Sequence, residues 1–144
     1  MFKKITVAYN DSPEANRALA QAIDLAKALG AELSAITVIE DLPAYAAFAA
    51  AADSTLVVKL NEDAQEQCKL LHSSAQQCAL RKGIQLKTHL LDGEPCQSIV
   101  RFLLDTKTDL VVIGLHRNTS HISRLWSTVY ELALDAPCSV LGVH

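Results

Sequence analysis

The run Leu110-Val111-Val112-Ile113-Gly114 has no polar side chain and is β-branched at its centre. A run this short and this apolar suits a strand buried on both faces, as in the interior of a parallel sheet. Four further, less uniformly apolar runs also read as strands: Ile5–Tyr9 (ITVAY), Leu33–Ile39 (LSAITVI), Ile84–Leu91 (IQLKTHLL) and Ser139–Val143 (SVLGV). Stretches of helical spacing separate them. Ser12 suits an N-cap, Pro13 the first helical position and Glu14 the positive end of the dipole. Ala15, Ala18, Leu19, Ala22, Ala26 and Leu29 then share a face, and Gly30 stands where a left-handed stop belongs.

The spacing predicts a second helix over Lys59–Arg81, with Leu60, Ala64, Cys68, Leu71, Ala75 and Cys78 inward and Gly83 ending it. Asp92-Gly93-Glu94-Pro95 turns into a third helix with Cys96, Ile99, Val100 and Leu103 inward, and a fourth runs around Leu125–Leu134. Strands alternating with helices force parallel pairing through right-handed crossovers. The expected fold is therefore α/β, a single doubly wound five-stranded parallel sheet with helices on both faces. The length of 144 residues fits one domain over 1–144. The alanine-rich stretch Asp41–Val58 breaks the rhythm, as a surface loop, an extra helical turn, or a lid or contact segment.

Lys+Arg 13 against Asp+Glu 16 leaves a net charge of −3, which offers no electrostatic case for nucleic acid or an anionic membrane. Cys68, Cys78, Cys96 and Cys138 form no C-x-x-C pair and no zinc spacing with the histidines, so no metal is expected. Cys68, Cys78 and Cys96 fall on apolar helix faces and Cys138 leads into a buried strand, so all four thiols are expected to be buried. No apolar stretch suits a signal peptide or a membrane span, and the expectation is a reduced cytoplasmic protein without membrane insertion.

Ligands of open α/β sheets bind beyond the carboxyl ends of the strands, where the winding reverses. The candidates are Asn10, Asp11 and Ser12 after the first strand and Gly114 to Ser120 after the fourth. Gly114 allows a sharp turn, Ser127 and Thr128 offer hydroxyls near a helix start, and Arg117 and Arg124 add positive charge. An anion site and a solvated loop beside a capped helix both fit these residues. His116 and His121 lie in that loop, but no G-x-S-x-G elbow or P-loop accompanies them, and no catalytic residue is assigned.

Three stretches, KKITVAYNDSPEANRALAQAIDLAKALGAEL, DGEP and TDLVVIGLHR, together with the closing APCSVLGV, resemble the universal stress protein family over essentially the whole chain. The resemblance implies strand order 3-2-1-4-5, a homodimer formed through the last strand (Ser139, Val140, Leu141, Gly142, Val143) and no enzymatic activity. Family members that bind ATP carry an Asp after the first strand and a G-x-x-G-x9-G-[ST] pattern after the fourth. Here Asn10 stands at the Asp position, Gly114 at the first glycine, Arg117 at the second, Ser127 at the third and Thr128 at the hydroxyl. Val38 and Val129 match apolar positions near the adenine, and Ala8 and Ile113 complete the candidate crevice. Asn10 lacks a charged acceptor, Arg117 either neutralises phosphate or fills its path, and Ser127 adds a Cβ where close approach favours glycine. The resemblance thus implies a stress-response protein acting as a homodimeric interaction module, its adenine-nucleotide crevice degenerate and its protein partner unknown. The alternative is a member that binds ATP or AMP and whose nucleotide regulates partner contacts.

Overall fold

The computed structural model describes residues 1–39, 54–115 and 122–144, without the side chains of 54, 56, 57 and 122–128. Strands β1 (Lys4–Ala8), β2 (Glu32–Ile39), β3 (Leu86–Asp92), β4 (Leu110–Gly114) and β5 (Ser139–Val143) form one parallel sheet in the order β3-β2-β1-β4-β5. Helices α1 (Pro13–Leu29), α2 (Ser54–Arg81), α3 (Pro95–Thr106) and α4 (Ile122–Asp135) alternate with them. The winding reverses between β1 and β4, as expected for the doubly wound class.

Side-chain alternation along the strands divides the core in two. Ile5, Val7, Leu33, Ala35, Leu86, Leu110 and Val112 meet α1 and the buried Ala75 and Ala79 of α2. Ile36 and Val111 face the other way, against Cys96, Ile99 and Leu103 of α3 and Leu132 of α4. Helix α1 begins where Ser12 Oγ accepts the Ala15 N–H at 3.2 Å, and it ends on Gly30 at φ 63°. Helix α3 is capped by Glu94, whose carboxylate oxygens accept the N–H groups of Cys96 (3.1 Å) and Gln97 (2.7 Å). A carboxylate there also answers the positive end of the helix dipole.

The amino ends of the strands are tied by polar side chains. Asp109 Oδ2 accepts the Lys3 and Lys4 N–H groups at 2.8 and 2.9 Å, which holds its carboxyl below the ordinary range. Thr106 donates to the Phe102 carbonyl at 2.7 Å, so Thr108 must donate to Thr106 and Thr6 to Thr108, each at 2.9 Å. One carbonyl thereby orients three hydroxyls, joining α3, β4 and β1.

Several expectations change. Helix α2 starts at Ser54 rather than Lys59, and β3 starts at Leu86 rather than Ile84. The inward face of α2 is His72, Ala75 and Ala79, with Cys68 and Leu71 half-buried. Leu60 is 41 % exposed and Cys78 is exposed, so neither belongs to that face. The polar His72 occupies the stripe, one turn before Gln76 and between Cys68 and Ala75–Ala79, and a purely apolar count passes over it. Residues 41–53 of the alanine-rich stretch lie outside the described residues.

Burial pushes the thiols of Cys68, Cys96 and Cys138 up, whereas Cys78 is the exposed cysteine. A thiol reagent in native buffer near neutral pH is expected to label Cys78 rapidly and the other three slowly. Mass spectrometry of the digested protein reads this directly, and fast labelling of Cys96 would contradict the packing of α3.

Candidate functional site

The carboxyl ends of β1, β2 and β4 lie side by side at the reversal of the sheet. Ala8 is in register with Ile36 on one side and Ile113 on the other, and Val38 lies two residues beyond Ile36 along β2. Val38 and Ile113 both pack against the α3–α4 side of the core, the face that Ala8 also takes by alternation. Ala8, Val38, Ile113 and Gly114 are half-buried and Asn10 is exposed, which leaves an apolar floor with a polar lip. Val129 is half-buried on α4. Arg117 lies outside the described residues, and Ser127 and Thr128 are placed on α4 by their backbone alone.

The lip is built by the start of α1. Asn10 Oδ1 accepts the Ser12 hydroxyl at 2.6 Å while Ser12 Oγ caps the helix, so one oxygen of the amide is already engaged. Asp11 and Glu14 put carboxylates beside this turn. Arg17 stands 3.7 Å from Glu14 and donates from Nε to the His144 carbonyl at 2.9 Å. The described rim is therefore acidic, and its nearest cation is directed at the end of β5. Among the described residues, no group of His, Cys, Asp and Glu could hold a metal ion, and no helix is long and apolar enough to cross a membrane.

Gly114 has a role other than the sharp turn expected of it. It is the last residue of β4, its φ is not positive, and a Cβ there would lie 2.6 Å from Glu14 C and 2.9 Å from Ala15 N. The glycine lets β4 end directly against the first turn of α1. Gly142 of β5 faces a softer obstacle, the Leu115 side chain at 2.6 Å. The Leu115 N–H donates to the Val143 carbonyl at 2.6 Å, so the chain leaves β4 pinned to β5.

Tyr9, Thr37 and His72 were not singled out by sequence, yet they bond to one another directly behind Asn10. Thr37 Oγ1 lies 2.6 Å from the Tyr9 carbonyl and 2.6 Å from His72 Nε2. The usable signal was His72 at helical spacing from Cys68, Ala75 and Ala79.

The point of reversal of this doubly wound α/β chain thus carries half-buried apolar residues below a polar lip, with no metal cluster among the described residues. The description "Universal stress protein family" matches residues 1–144. A curated universal stress protein of Methanocaldococcus jannaschii is 31 % identical, over 99 % of this chain and 82 % of its own length. The structure of universal stress protein UspA from Lactobacillus plantarum superposes with a TM-score of 0.78 at 25 % identity, covering 99 % of this chain and 98 % of that one. A universal stress protein solved in complex with cAMP superposes with a TM-score of 0.76 at 20 % identity, covering 99 % and 97 %. The chain belongs to the universal stress protein family.

Gly114→Ala is expected to cost about 1–3 kcal/mol, because the obstacle is backbone that cannot rotate away. Gly142→Ala is expected to cost less, since the Leu115 side chain can change rotamer. Urea unfolding midpoints of the two variants test the order, and equal midpoints would contradict this account of Gly114.

Proposed function

We propose that this chain is a non-catalytic, homodimeric interaction module whose adenine-nucleotide crevice is degenerate. The observation that carries this is the lip of the crevice. Asn10, which stands where nucleotide-binding relatives carry an Asp, is neutral, and its Oδ1 is bonded to Ser12. The neighbouring carboxylate of Asp11 opposes phosphate, and Arg17 and Glu14 are engaged with each other, Arg17 also with the His144 carbonyl. Charge to hold a phosphate must then come from Arg117 or Arg124, the cations that follow β4 in sequence.

The surface for self-association is β5. Its neighbour in the sheet is β4, and its other edge carries Ser139, Val140, Leu141, Gly142 and Val143 with no lysine. Short apolar edges without a blocking charge recruit a second strand, commonly about a two-fold axis. A homodimer through this strand is expected at micromolar concentration, and Val140→Lys is expected to shift it to monomer. Sedimentation velocity on both proteins checks this. Monomeric wild type, or a dimer that Val140→Lys leaves intact, would reject the edge.

A second reading, in which bound ATP or AMP regulates partner contacts, is favoured by the relative solved with cAMP and by the apolar floor of Ala8, Val38 and Ile113. Equilibrium dialysis of radiolabelled ATP and AMP against nucleotide-stripped protein separates the two. The degenerate crevice predicts that wild type binds weakly and that Arg117→Gly/Ser127→Gly binds ATP at least about tenfold more tightly. An arginine–phosphate contact is worth about 1.5–3 kcal/mol, so its loss would move affinity about tenfold or more the other way. Micromolar wild-type binding that the double variant abolishes would establish the second reading.

A further inference from the structure

The buried chain His72–Thr37–Tyr9 has a definite direction. His72 is 5 % exposed and Thr37 is 7 % exposed. A hydroxyl has one proton and a carbonyl oxygen only accepts, so Thr37 donates to the Tyr9 carbonyl and accepts from His72 Nε2. Neutral His72 thus carries its proton on Nε2, and a second proton enters at Nδ1. Tyr9 is held from two further sides. Its N–H donates to the Ile36 carbonyl at 2.8 Å, and its phenol donates to Asn16 Oδ1 at 2.8 Å. An imidazole on α2 therefore completes the wiring of the residue that precedes Asn10.

The same imidazole is the largest buried side chain among the described residues of α2. The others are Ala75 and Ala79, which have little side chain to bury, while Leu71 packs half-buried against the same core. Among the described residues, the groups around His72 offer an imidazolium nothing to pair with. From β1 comes the Tyr9 phenol, kept neutral by burial, and from β3 comes His89, of like sign. Helix α2 itself supplies Cys68, whose thiol burial pushes up, and the exposed Cys78. The carboxylate that α1 turns toward the end of α2, Asp24, is paired with Lys82 at 2.7 Å.

We propose that His72 is an acid-sensitive latch. Neutral, it fastens α2 to the crevice end of β1 through Thr37 and Tyr9; protonated at Nδ1 it keeps its Nε2–H, but the charge now buried without a partner favours carrying the imidazole out to water, which loosens α2 and frees the turn from Tyr9 to Ser12. The latch acts whether or not the crevice holds a ligand. Burial, then His89, lower the pKa of His72 from its ordinary 6.5. A lowered folded value means that the loosened state takes the proton more readily, so the fastening is complete above 6.5 and is lost as pH falls through the folded value.

Hydrogen–deuterium exchange of the full chain at about pH 7.5 and about pH 5.5, corrected for intrinsic rates, tests the latch. In wild type, Cys68–Ala79 and Ala8–Asn16 are expected to exchange about tenfold faster at the lower pH while β4 stays protected. His72→Gln can still donate to Thr37 and cannot titrate in this range, so it is expected to lose the pH response. No acceleration in wild type, equal acceleration in both proteins, or acceleration that includes β4 would each overturn the proposal. Should His72→Gln fail to fold by circular dichroism, the wild-type His72 ring is titrated by NMR. A midpoint below 6.5 shared with the Tyr9 and Thr37 amide shifts supports the latch. A midpoint at or above it, or amides that do not follow the ring, overturns it.

Discussion

The approach of β4 to the first turn of α1 is the contact on which the rest of this molecule depends. No side chain fits at position 114, where even a Cβ would sit 2.6 Å from the carbonyl carbon of Glu14. That proximity sets where α1 starts, and therefore where Ser12 caps it and where Asn10 stands. It also decides how the chain leaves β4, with Leu115 bonded to Val143 and its side chain over Gly142. One missing methyl group thus relates the two strands that flank the reversal, the helix between β1 and β2, and the edge strand. Close packing makes such a constraint discrete, because the interior has no slack into which a shifted helix could settle.

The two ends of the sheet are tied by different chemistry. At the amino ends, Asp109 collects two backbone donors, and the chain Thr6–Thr108–Thr106 ends on a carbonyl, so each hydroxyl proton has one place to go. The threonines of that chain do not titrate in the physiological range. At the carboxyl ends the equivalent chain begins on a histidine, the side chain whose ordinary pKa lies closest to neutrality. The asymmetry places the adjustable bond beside the crevice and the fixed ones away from it. Buried hydroxyl chains impose orientation at either end, because each partner left without its bond would carry the full cost of desolvation.

How much of this was legible in the sequence follows from how each feature is encoded. Ser12, Pro13 and Gly30 encode the limits of α1 through local backbone chemistry, and the structure places the helix between them. Leu110–Gly114 encodes a doubly buried strand through composition, and its centre is buried as expected. The strand order, in contrast, came from family resemblance, since alternation alone leaves several doubly wound orders open. Helix α2 was read less well because its buried face uses two alanines and a histidine, residues that carry a weak or misleading hydrophobic signal. For that reason Cys78 was placed inward and His72 was not. Of the candidate crevice, Ala8, Val38, Ile113 and Gly114 come together through strand register. The role of Gly114 was hidden because a glycine in sequence does not say which neighbour needs its missing side chain.

The charge distribution around the reversal bears on what such a crevice can hold. A helix N-terminus attracts anions through its free N–H groups and dipole. Here the start of α1 has already spent that potential within the chain, since Ser12 takes the Ala15 donor and Asp11 and Glu14 supply negative charge. The apolar floor of Ala8, Val38 and Ile113 is indifferent to charge and can receive a planar base or an aliphatic side chain equally well. Any preference for nucleotide over protein must therefore come from the loop after β4 and the first turn of α4, where Arg117, Arg124, Ser127 and Thr128 lie in sequence. On the function proposed above, the substitutions at Asn10, Arg117 and Ser127, rather than the fold, separate a nucleotide-regulated protein from a module that works by protein contacts alone.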